Sequence, residues 1–514
     1  MWIFLLGLAL LVGGYFLYGG LVTRSLKPEP DRPTPAYRLQ DGMDYVPMST
    51  WRIYLIQLLN IAGLGPVFGP IMGALWGPQV FLWVVLGCIL GGAVHDLVLG
   101  AMSLRNNGAG LPDLIGHYLG RPARHAATVF ILVLMVLVGT VFVKGPSLLI
   151  AGLLPAETVG GWFGPGATAW LQGTFQGSSA WLWIVMIFVF LYYVLATLLP
   201  IDKLIGRIYP VFAAALLVMV AGLGVSILFG RIPAVDFTLA NLHPSELPAW
   251  PLIFITVSCG AISGFHATQS PLMARCLKSE RRMKAVFYGA MIVEGVIALI
   301  WAYAAQGYYG GVEGLAAALG PGLNKTNEVV HTICTGTMGA FGGALAILGV
   351  IVLPITSGDT AFRAGRLIAA DYLRLPQKRV RNRYLIALPM FALSLVLMFV
   401  PFGIIWRYFG WANQTLAAFS LWAATVYLAR RRSRWWLTLP PAAFMTAMTL
   451  TYILVESRAN GCLGLDMWLG TALGAAVAAA ACGWFFWKLR RLPPEDGRLA
   501  LEVEPPPVAK DPAC

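Results

Sequence analysis

Long apolar stretches, separated by short polar loops, follow one another along almost the whole chain. A helix needs about 20 apolar residues to cross a bilayer. Thirteen stretches approach that length, at 1–22, 52–75, 79–103, 126–153, 180–200, 207–230, 250–276, 284–307, 337–357, 383–403, 409–429, 435–455 and 466–489. The pattern therefore predicts an all-α polytopic membrane protein with thirteen spans.

The same pattern divides the chain into regions. Residues 1–22 are predicted as a leading helix, 23–51 as a cytoplasmic loop, 52–430 as a ten-helix core and 431–490 as two trailing helices. The leading stretch has spanning length and its positive residues follow it, so we expect a retained helix rather than a cleaved signal peptide. Residues 491–514 are rich in proline and charge, which predicts a disordered tail.

Two of the predicted core helices are interrupted by glycine and proline. The first reads Ile61-Ala-Gly-Leu-Gly-Pro-Val-Phe-Gly-Pro70, and the second reads Gly260-Ala-Ile-Ser-Gly-Phe-His-Ala-Thr-Gln-Ser-Pro271. Unpaired backbone is costly in hydrocarbon unless it is buried in protein or lines a cavity. Matching interruptions in two halves of a chain indicate the binding site of a transporter. The alternative is a pair of kinks that serve packing only, since both residues are common in membrane helices.

Charge placement predicts an orientation. The chain is 58% hydrophobic and 11% charged, and 29 of its 36 Lys and Arg residues lie in alternate loops and tails. Cytoplasmic loops carry the excess of Lys and Arg, so the C-terminus is predicted inside and the N-terminus outside. The net charge of +13 then reflects topology, because the basic residues are scattered among short loops and do not form a nucleic-acid surface.

Counted from the first interruption, the two broken helices are core helices 1 and 6. Five helices per half is an odd number, so the two halves would cross the membrane in opposite directions. This is the 5+5 inverted-repeat plan of the LeuT type, in which the site lies at the membrane midplane where helices 1 and 6 unwind.

Six segments resemble the carbon starvation protein A family, in that family's order. They are DGMDYVP at 41–47, IAGLGPVFGP at 61–70, GAVHD at 92–96, SGFHATQSP at 263–271, EGVIALIWA at 294–302 and ITSGDTAFRAGRL at 355–367. The chain departs from the long members in its compact C-terminal part and short tail. The resemblance implies the fold of the amino acid–polyamine–organocation superfamily. It also implies a bacterial inner-membrane transporter that takes up peptides, or pyruvate with protons, during carbon starvation.

The interruptions supply the candidate substrate site. Glycine lets backbone approach a ligand closely, and exposed amides with positive half-helix ends favour an anionic substrate. The predicted substrate-binding residues are Gly63, Gly65, Pro66 and Gly69 in the first interruption and Ser263, Gly264, His266, Thr268, Gln269 and Ser270 in the second. Peptides and small carboxylates both satisfy this expectation.

Polar groups at membrane depth are the candidate coupling residues, because ionisable side chains there are functional by default. They are His95, Asp96, Lys144, Glu294, Thr356 and Ser357. Histidine changes charge near neutral pH, which suits protons, whereas hydroxyls on helix 8 suit sodium. The coupling ion therefore stays open between H⁺ and Na⁺, and a structural ion pair or a bond to freed backbone is the alternative role for each residue.

A metal or cofactor is not predicted. Zinc ligation by His95, Asp96 and His266 would lack a fourth ligand, and the seven cysteines are dispersed. The amide side chains at 413–414 could gate the pathway or satisfy neighbouring backbone.

Charges beside helices 1 and 8 are the candidate inner gate. Asp44 and Arg52 precede the first broken helix, whereas Asp359 and Arg363 are expected to follow the inner end of helix 8. Opposite charges there would hold the closed state. The alternative is that each charge lies singly in the headgroup layer.

These observations predict a secondary transporter rather than an enzyme. The sequence has no GxxxxGK[ST] motif for a nucleotide and no nucleophile–base or metal spacing within the spans. Its expected partners are a small-molecule substrate and the bilayer. The alternative function is a membrane sensor subunit that binds a metabolite without net transport.

Overall fold

Helices dominate the computed structural model of the chain. The structure describes residues 1–42, 44–175, 178–196, 202–323, 325–373, 375 and 380–495. The predicted leading helix is a pair of helices, α1 (Trp2–Phe16) and α2 (Tyr18–Leu26), and the short α3 (Pro35–Arg38) lies in the loop that follows. Most of the predicted disordered tail falls outside the described residues.

Core helix 1 is broken where the sequence predicted. It consists of α4 (Thr50–Ile61) and α5 (Gly65–Gly73), which a 3₁₀ turn extends to Trp76. The two halves are bent by 45°. Pro66 lies in the first turn of α5, where its missing N–H would have no partner within the helix in any case. Glycine and proline therefore end one half and begin the other.

The next helices follow along the chain as far as the second break. They are α6 (Gln79–Leu86), a π-helical turn (Gly87–Gly92), α7 (Ala93–Arg105), α8 (Leu111–Leu119), α9 (Arg121–Leu153), α10 (Ala156–Gly161), α11 (Pro165–Gln172), α12 (Ala180–Ala196) and α13 (Asp202–Leu228). Before α12, β1 (Thr174–Phe175) pairs with β2 (Ser178–Ser179) in an antiparallel ribbon.

Core helix 6 is also broken, between α14 (Ala249–Thr256) and α15 (His266–Ala274). The helices that follow are α16 (Gly289–Tyr308), α17 (Val312–Leu319), α18 (Thr326–Ala346), α19 (Leu353–Leu373), α20 (Val380–Leu397), α21 (Phe402–Arg430), α22 (Leu439–Val455) and α23 (Met467–Leu489). A π-helical turn (Lys284–Tyr288) leads into α16, and another (Ile347–Val352) joins α18 to α19. Short 3₁₀ turns lie at Glu280–Arg282, Pro321–Leu323, Trp435–Leu437 and Arg458–Asn460.

Helix occupies each of the thirteen predicted spans, but length and apolar composition support fewer of them. Within the described part of the chain, eight helices are long and apolar enough to cross a membrane, or nine when α4 and α5 count as one span. The others are short halves of a broken helix, such as α14 and α15, have apolar stretches that are too short within the described residues, as in α12 and α13, or carry polar side chains, such as α21. The count of thirteen and the inverted symmetry therefore stay predictions.

The orientation of the chain gives a first testable prediction. A reporter fused after Leu489 is expected to be cytoplasmic, and one inserted in the loop 154–179 is expected to be outside, because that loop has no Lys or Arg. Protease protection of both fusions in spheroplasts measures this. If both reporters lie on the same side, the span count is wrong by one and the outside N-terminus is wrong with it.

Candidate functional site

The breaks in helices 1 and 6 lie against each other. A Cβ atom added to Gly65 would collide with the side chain of Cys259, and one added to Gly69 would lie 3.1 Å from the carbonyl oxygen of Thr256. A Cβ atom on Gly264 would collide with the backbone of α21. The chain approaches so closely at these positions that only glycine leaves the contact intact.

Backbone amides that the second break frees are paired with neighbouring helices. The Phe265 N–H donates to Oδ1 of Asn413 at 2.6 Å, and the Gly264 N–H donates to the Asn413 carbonyl at 3.2 Å. Oε1 of Glu294 accepts from the Gly260 N–H at 3.1 Å, and Gly260 has a φ of +85°, which favours glycine. Because an unpaired buried polar group costs about 1–3 kcal/mol, these contacts stabilise helix 6 in its interrupted form.

A continuous chain of buried polar side chains runs from α21 through α7 and α15 to α16. Nε2 of His95 lies 2.7 Å from Oγ of Ser420, and its Nδ1 lies 2.8 Å from Oδ1 of Asp96. The other Asp96 oxygen lies 3.0 Å from Nδ1 of His266. Nε2 of His266 in turn lies 3.3 Å from Oε2 of Glu294. We call these five fully buried residues the histidine–carboxylate chain.

Two atoms at the end of this chain lack a hydrogen bond. Among the described residues, Nε2 of His266 and Oε2 of Glu294 are buried without a hydrogen-bond partner, although they face each other. Sγ of Cys259 is their neighbour, and the three atoms lie within 4.8 Å of one another. A thiol, an imidazole and a carboxylate are the usual ligands of zinc, so these residues could hold a metal ion.

The remaining polar candidates lie in the first two turns of α15. The Thr268 hydroxyl donates to the Phe265 carbonyl at 2.7 Å, and the Gln269 amide donates to the Thr268 hydroxyl at 2.9 Å. The Ser270 hydroxyl accepts from the Gln57 amide of α4 at 3.4 Å. The helices α4 and α15 therefore meet through polar side chains.

The other candidates lie around the breaks themselves. The Ser263 hydroxyl donates to Oδ1 of Asn413 at 3.2 Å. A Cβ atom on Gly63 would lie 3.0 Å from the Phe142 ring, and Pro66 is buried at the start of α5. The structure thus brings all ten predicted substrate-binding residues to the two breaks and the helix ends beside them.

A cavity of about 250 Å³ lies beside α15, the second half of helix 6. We call it the vestibule. Its walls come from the loop before α4, from α8, α9, α15 and α19, and include Asp44, Asp113, Thr128, Thr268, Arg275 and Tyr372. Because Asp44 is exposed and Thr268 is almost fully buried, the vestibule leads from one end of the bundle towards the break.

Two predicted gate residues lie elsewhere than the sequence indicated. α19 continues to Leu373, so Asp359 and Arg363 lie inside helix 8 and do not follow its end. The polar residues of this segment resemble those found where a helix leaves the membrane. The helix instead continues, and it packs against α9. Arg52 is exposed in the first turn of α4. The side chain of Asp359 is outside the described residues.

Three predicted coupling residues lie on other helices: Lys144 on α9, and Thr356 and Ser357 on α19. Lys144 is buried in α9, and its Nζ donates to the carbonyl of Val400 between α20 and α21. Thr356 and Ser357 lie in α19. Ser357 is buried, and the Thr356 side chain is outside the described residues.

Three residues of the site carried little or ambiguous signal in the sequence. Cys259 resembles a small apolar residue, and Ser420 resembles a hydroxyl that bonds back to its own helix, as it also does here through the Leu416 carbonyl. Asn413 did give a signal, as one of two adjacent amides in a membrane helix. The structure supports its backbone-satisfying role.

Fold and site together define a polytopic helical membrane protein with two interrupted helices that meet at a buried polar cluster. A crystal structure of a mutant Eremococcus coleocola manganese transporter has a similar fold. The TM-score is 0.52 at 14% sequence identity, and the match covers 87% of this chain and 97% of the other. At this identity the likeness concerns the fold alone.

The chain belongs to the family described as “Carbon starvation protein CstA”, whose profile matches residues 1–151, 143–334 and 302–452. A Haemophilus influenzae “Uncharacterized membrane protein” is 43% identical over 361 residues, which are 63% of this chain and 95% of that protein. The Bacillus subtilis “Peptide transporter CstA” is 29% identical over 80% of this chain and 83% of its own length. The Escherichia coli “Peptide transporter CstA” is 25% identical over 88% and 80%. These matches confirm the resemblance seen in the sequence.

Proposed function

We propose that this chain is a secondary transporter that imports peptides or small carboxylates such as pyruvate by ion-coupled alternating access, as part of a carbon-starvation response. The observation that carries the proposal is the direct contact between the two breaks, beside the histidine–carboxylate chain. The transporter names of the Bacillus and Escherichia relatives support it. A 5+5 inverted repeat belongs to the same proposal.

The helix ends at the breaks favour a substrate with a carboxylate. α5 begins at Gly65 and α15 begins at His266. Both helices therefore have their N-terminal ends at the breaks. A helix N-terminus carries partial positive charge, which favours an anionic group although the Gly264 and Phe265 amides already donate to Asn413. Peptides and pyruvate share a carboxylate, so this feature accounts for both substrate classes and does not choose between them.

The histidine–carboxylate chain supports coupling to protons. Its members Ser420, His95, Asp96, His266 and Glu294 give a hydrogen-bonded or ion-paired path across four helices. Thr356 and Ser357 remain candidates for a sodium site on α19, and Lys144 for a charge partner of the substrate. The driving ion is therefore proposed as H⁺ or Na⁺.

The vestibule, which Asp44 lines, supports an inner pathway, and Asp44, Arg52, Asp359 and Arg363 remain the proposed gate. Cysteine in place of Leu272, which lines the vestibule, is expected to react with a membrane-impermeant thiosulfonate added from the cytoplasmic side. Bound substrate is expected to change the rate. Cysteine in place of Val133, an exposed position of α9, faces lipid and is the matched control. Equal rates for the two cysteines would contradict an aqueous vestibule.

Uptake by reconstituted protein tests the proposed function. Proteoliposomes should accumulate radiolabelled dipeptides or pyruvate when a proton or sodium gradient is imposed, and empty liposomes should not. A pH gradient that drives uptake without sodium would assign the coupling ion. Saturable binding without accumulation under either gradient would favour the alternative, a membrane sensor subunit.

A further inference from the structure

We propose that Cys259, His266 and Glu294 form a binding site for Zn²⁺, with three ligands from the chain and a fourth position open to water. Cys259 lies within the break in helix 6, His266 begins α15, and Glu294 lies on α16. All three residues are buried, at 5%, 0% and 0% exposure. A bound ion would join the break to the neighbouring helix.

The spacing of the two unpaired atoms fits a tetrahedral ion. Zn²⁺ binds imidazole nitrogen and carboxylate oxygen at about 2.0–2.2 Å, which places two ligands of a tetrahedron about 3.3–3.5 Å apart. Nε2 of His266 and Oε2 of Glu294 are 3.3 Å apart and form no hydrogen bond with each other or with another described group. The two atoms form an ion pair only when the imidazole is protonated. A neutral imidazole leaves both of them unsatisfied, which is costly in a buried site, and one cation placed between the two atoms satisfies both.

The third ligand is within reach of the same point. Sγ of Cys259 lies within 4.8 Å of the other two atoms. A zinc–sulfur distance of about 2.3 Å would place it about 3.6 Å from the histidine nitrogen. A rotation of the Cys259 side chain that shortens this separation by about 1 Å at most completes the set.

The groups that orient the zinc ligands of other proteins are also present at this site. Metal-bound histidine usually donates its other ring N–H to a carboxylate, which fixes the ring. Nδ1 of His266 lies 3.0 Å from Asp96, which His95 contacts in turn. Oε1 of Glu294 accepts from the Gly260 amide at 3.1 Å, so only its second oxygen faces the site.

Charge balance within the three ligands also favours the ion, beside the Asp96 carboxylate that contacts His266 from its other ring nitrogen. A thiolate, a carboxylate and a neutral imidazole around one divalent cation have no net charge. Buried charges otherwise carry a penalty of several kcal/mol each. The soft thiolate selects zinc over manganese, calcium or magnesium, which prefer oxygen ligands.

Metal binding by the purified full-length protein tests the site. Competition with a chromophoric zinc chelator should give one Zn²⁺ per chain, and Mn²⁺ should compete weakly. Cys259→Ser and Glu294→Gln should each lower the zinc affinity at least tenfold, and Asp96→Asn should lower it about 10–100-fold. Cys334→Ser, at a buried cysteine of α18, should bind zinc as the parent does.

The absorption spectrum of the cobalt-loaded protein tests the site without any variant. Co²⁺ added to the unaltered protein should produce the sulfur-to-metal charge-transfer absorption of a cysteine-bound ion, and Zn²⁺ should remove it. Absence of this band, or unchanged zinc affinity in Cys259→Ser, would overturn the proposal. Because binding is measured without transport, a protein that takes up substrate but does not bind zinc contradicts this site and leaves the proposed function standing.

Discussion

Replacement of Gly264 by leucine is expected to reduce substrate uptake at least tenfold while the protein remains in the membrane. A side chain here meets the carbonyl of Asn413 and the amide of Ala417, which are backbone atoms of α21 that cannot rotate away. Forcing extra volume into a packed site costs about 1–3 kcal/mol, and 1.4 kcal/mol changes an equilibrium tenfold. The break would have to move away from α21, and this movement would displace His266 as well. The measurement is the initial rate of uptake into proteoliposomes.

A glycine with open space around it provides the control. Gly483 lies in the membrane helix α23, and an added Cβ atom meets nothing within 4 Å. Gly483→Leu should therefore transport at the parental rate. Parental uptake by Gly264→Leu would contradict a site at the break, and loss of Gly264→Leu from the membrane would instead support a packing role for this glycine.

Replacement of Asp96 by asparagine is expected to destabilise the folded protein by about 3–5 kcal/mol, the usual cost of removing one partner from a buried charged network, and to abolish uptake. Each carboxylate oxygen of Asp96 faces an imidazole nitrogen, from His95 on one side and His266 on the other. A carboxylate only accepts, so both imidazoles donate to it. Asparagine offers one acceptor and one amino group, so one donor would face another donor.

Thermal unfolding of the detergent-solubilised variant, followed by tryptophan fluorescence, measures the change. Asp113→Asn is the matched control, because Asp113 pairs with Arg124 at 2.8 Å with nearly half of each side chain exposed. Exposed pairs contribute only about 0–1 kcal/mol. Equal melting temperatures for Asp96→Asn and the parent would show that the histidine–carboxylate chain is not a cooperative unit.

The broken helices could be predicted because glycine and proline act locally. The interruption at Gly63–Pro66 changes the backbone of its own helix, and the polar residues after Gly264 mark the second break. Each of Asp96, His266 and Glu294 was a candidate as well, since an ionisable group is conspicuous in an apolar stretch.

The meeting of these residues could not be predicted from the sequence. Asp96 and His266 touch because α7 packs on α15, and no local pattern records that contact. Cys259 is indistinguishable from a packing residue until Glu294 and His266 are placed beside it. The end of helix 8 was misplaced for the opposite reason, since polar side chains that face protein look like a loop when only composition is considered.

Accessibility of the break from both sides of the membrane is the most direct test of an alternately opening substrate site at the breaks. Cysteine replaces Ser263, whose hydroxyl contacts Asn413 at the break, in a variant without other cysteines that still transports. An impermeant thiol reagent is added to inside-out or right-side-out vesicles, with and without an excess of pyruvate or dipeptide. Alternating access predicts labelling from each side and slower labelling with transported substrate. Labelling from one side only, or at rates that substrate leaves unchanged, would contradict a substrate site at the breaks that opens alternately to the two faces.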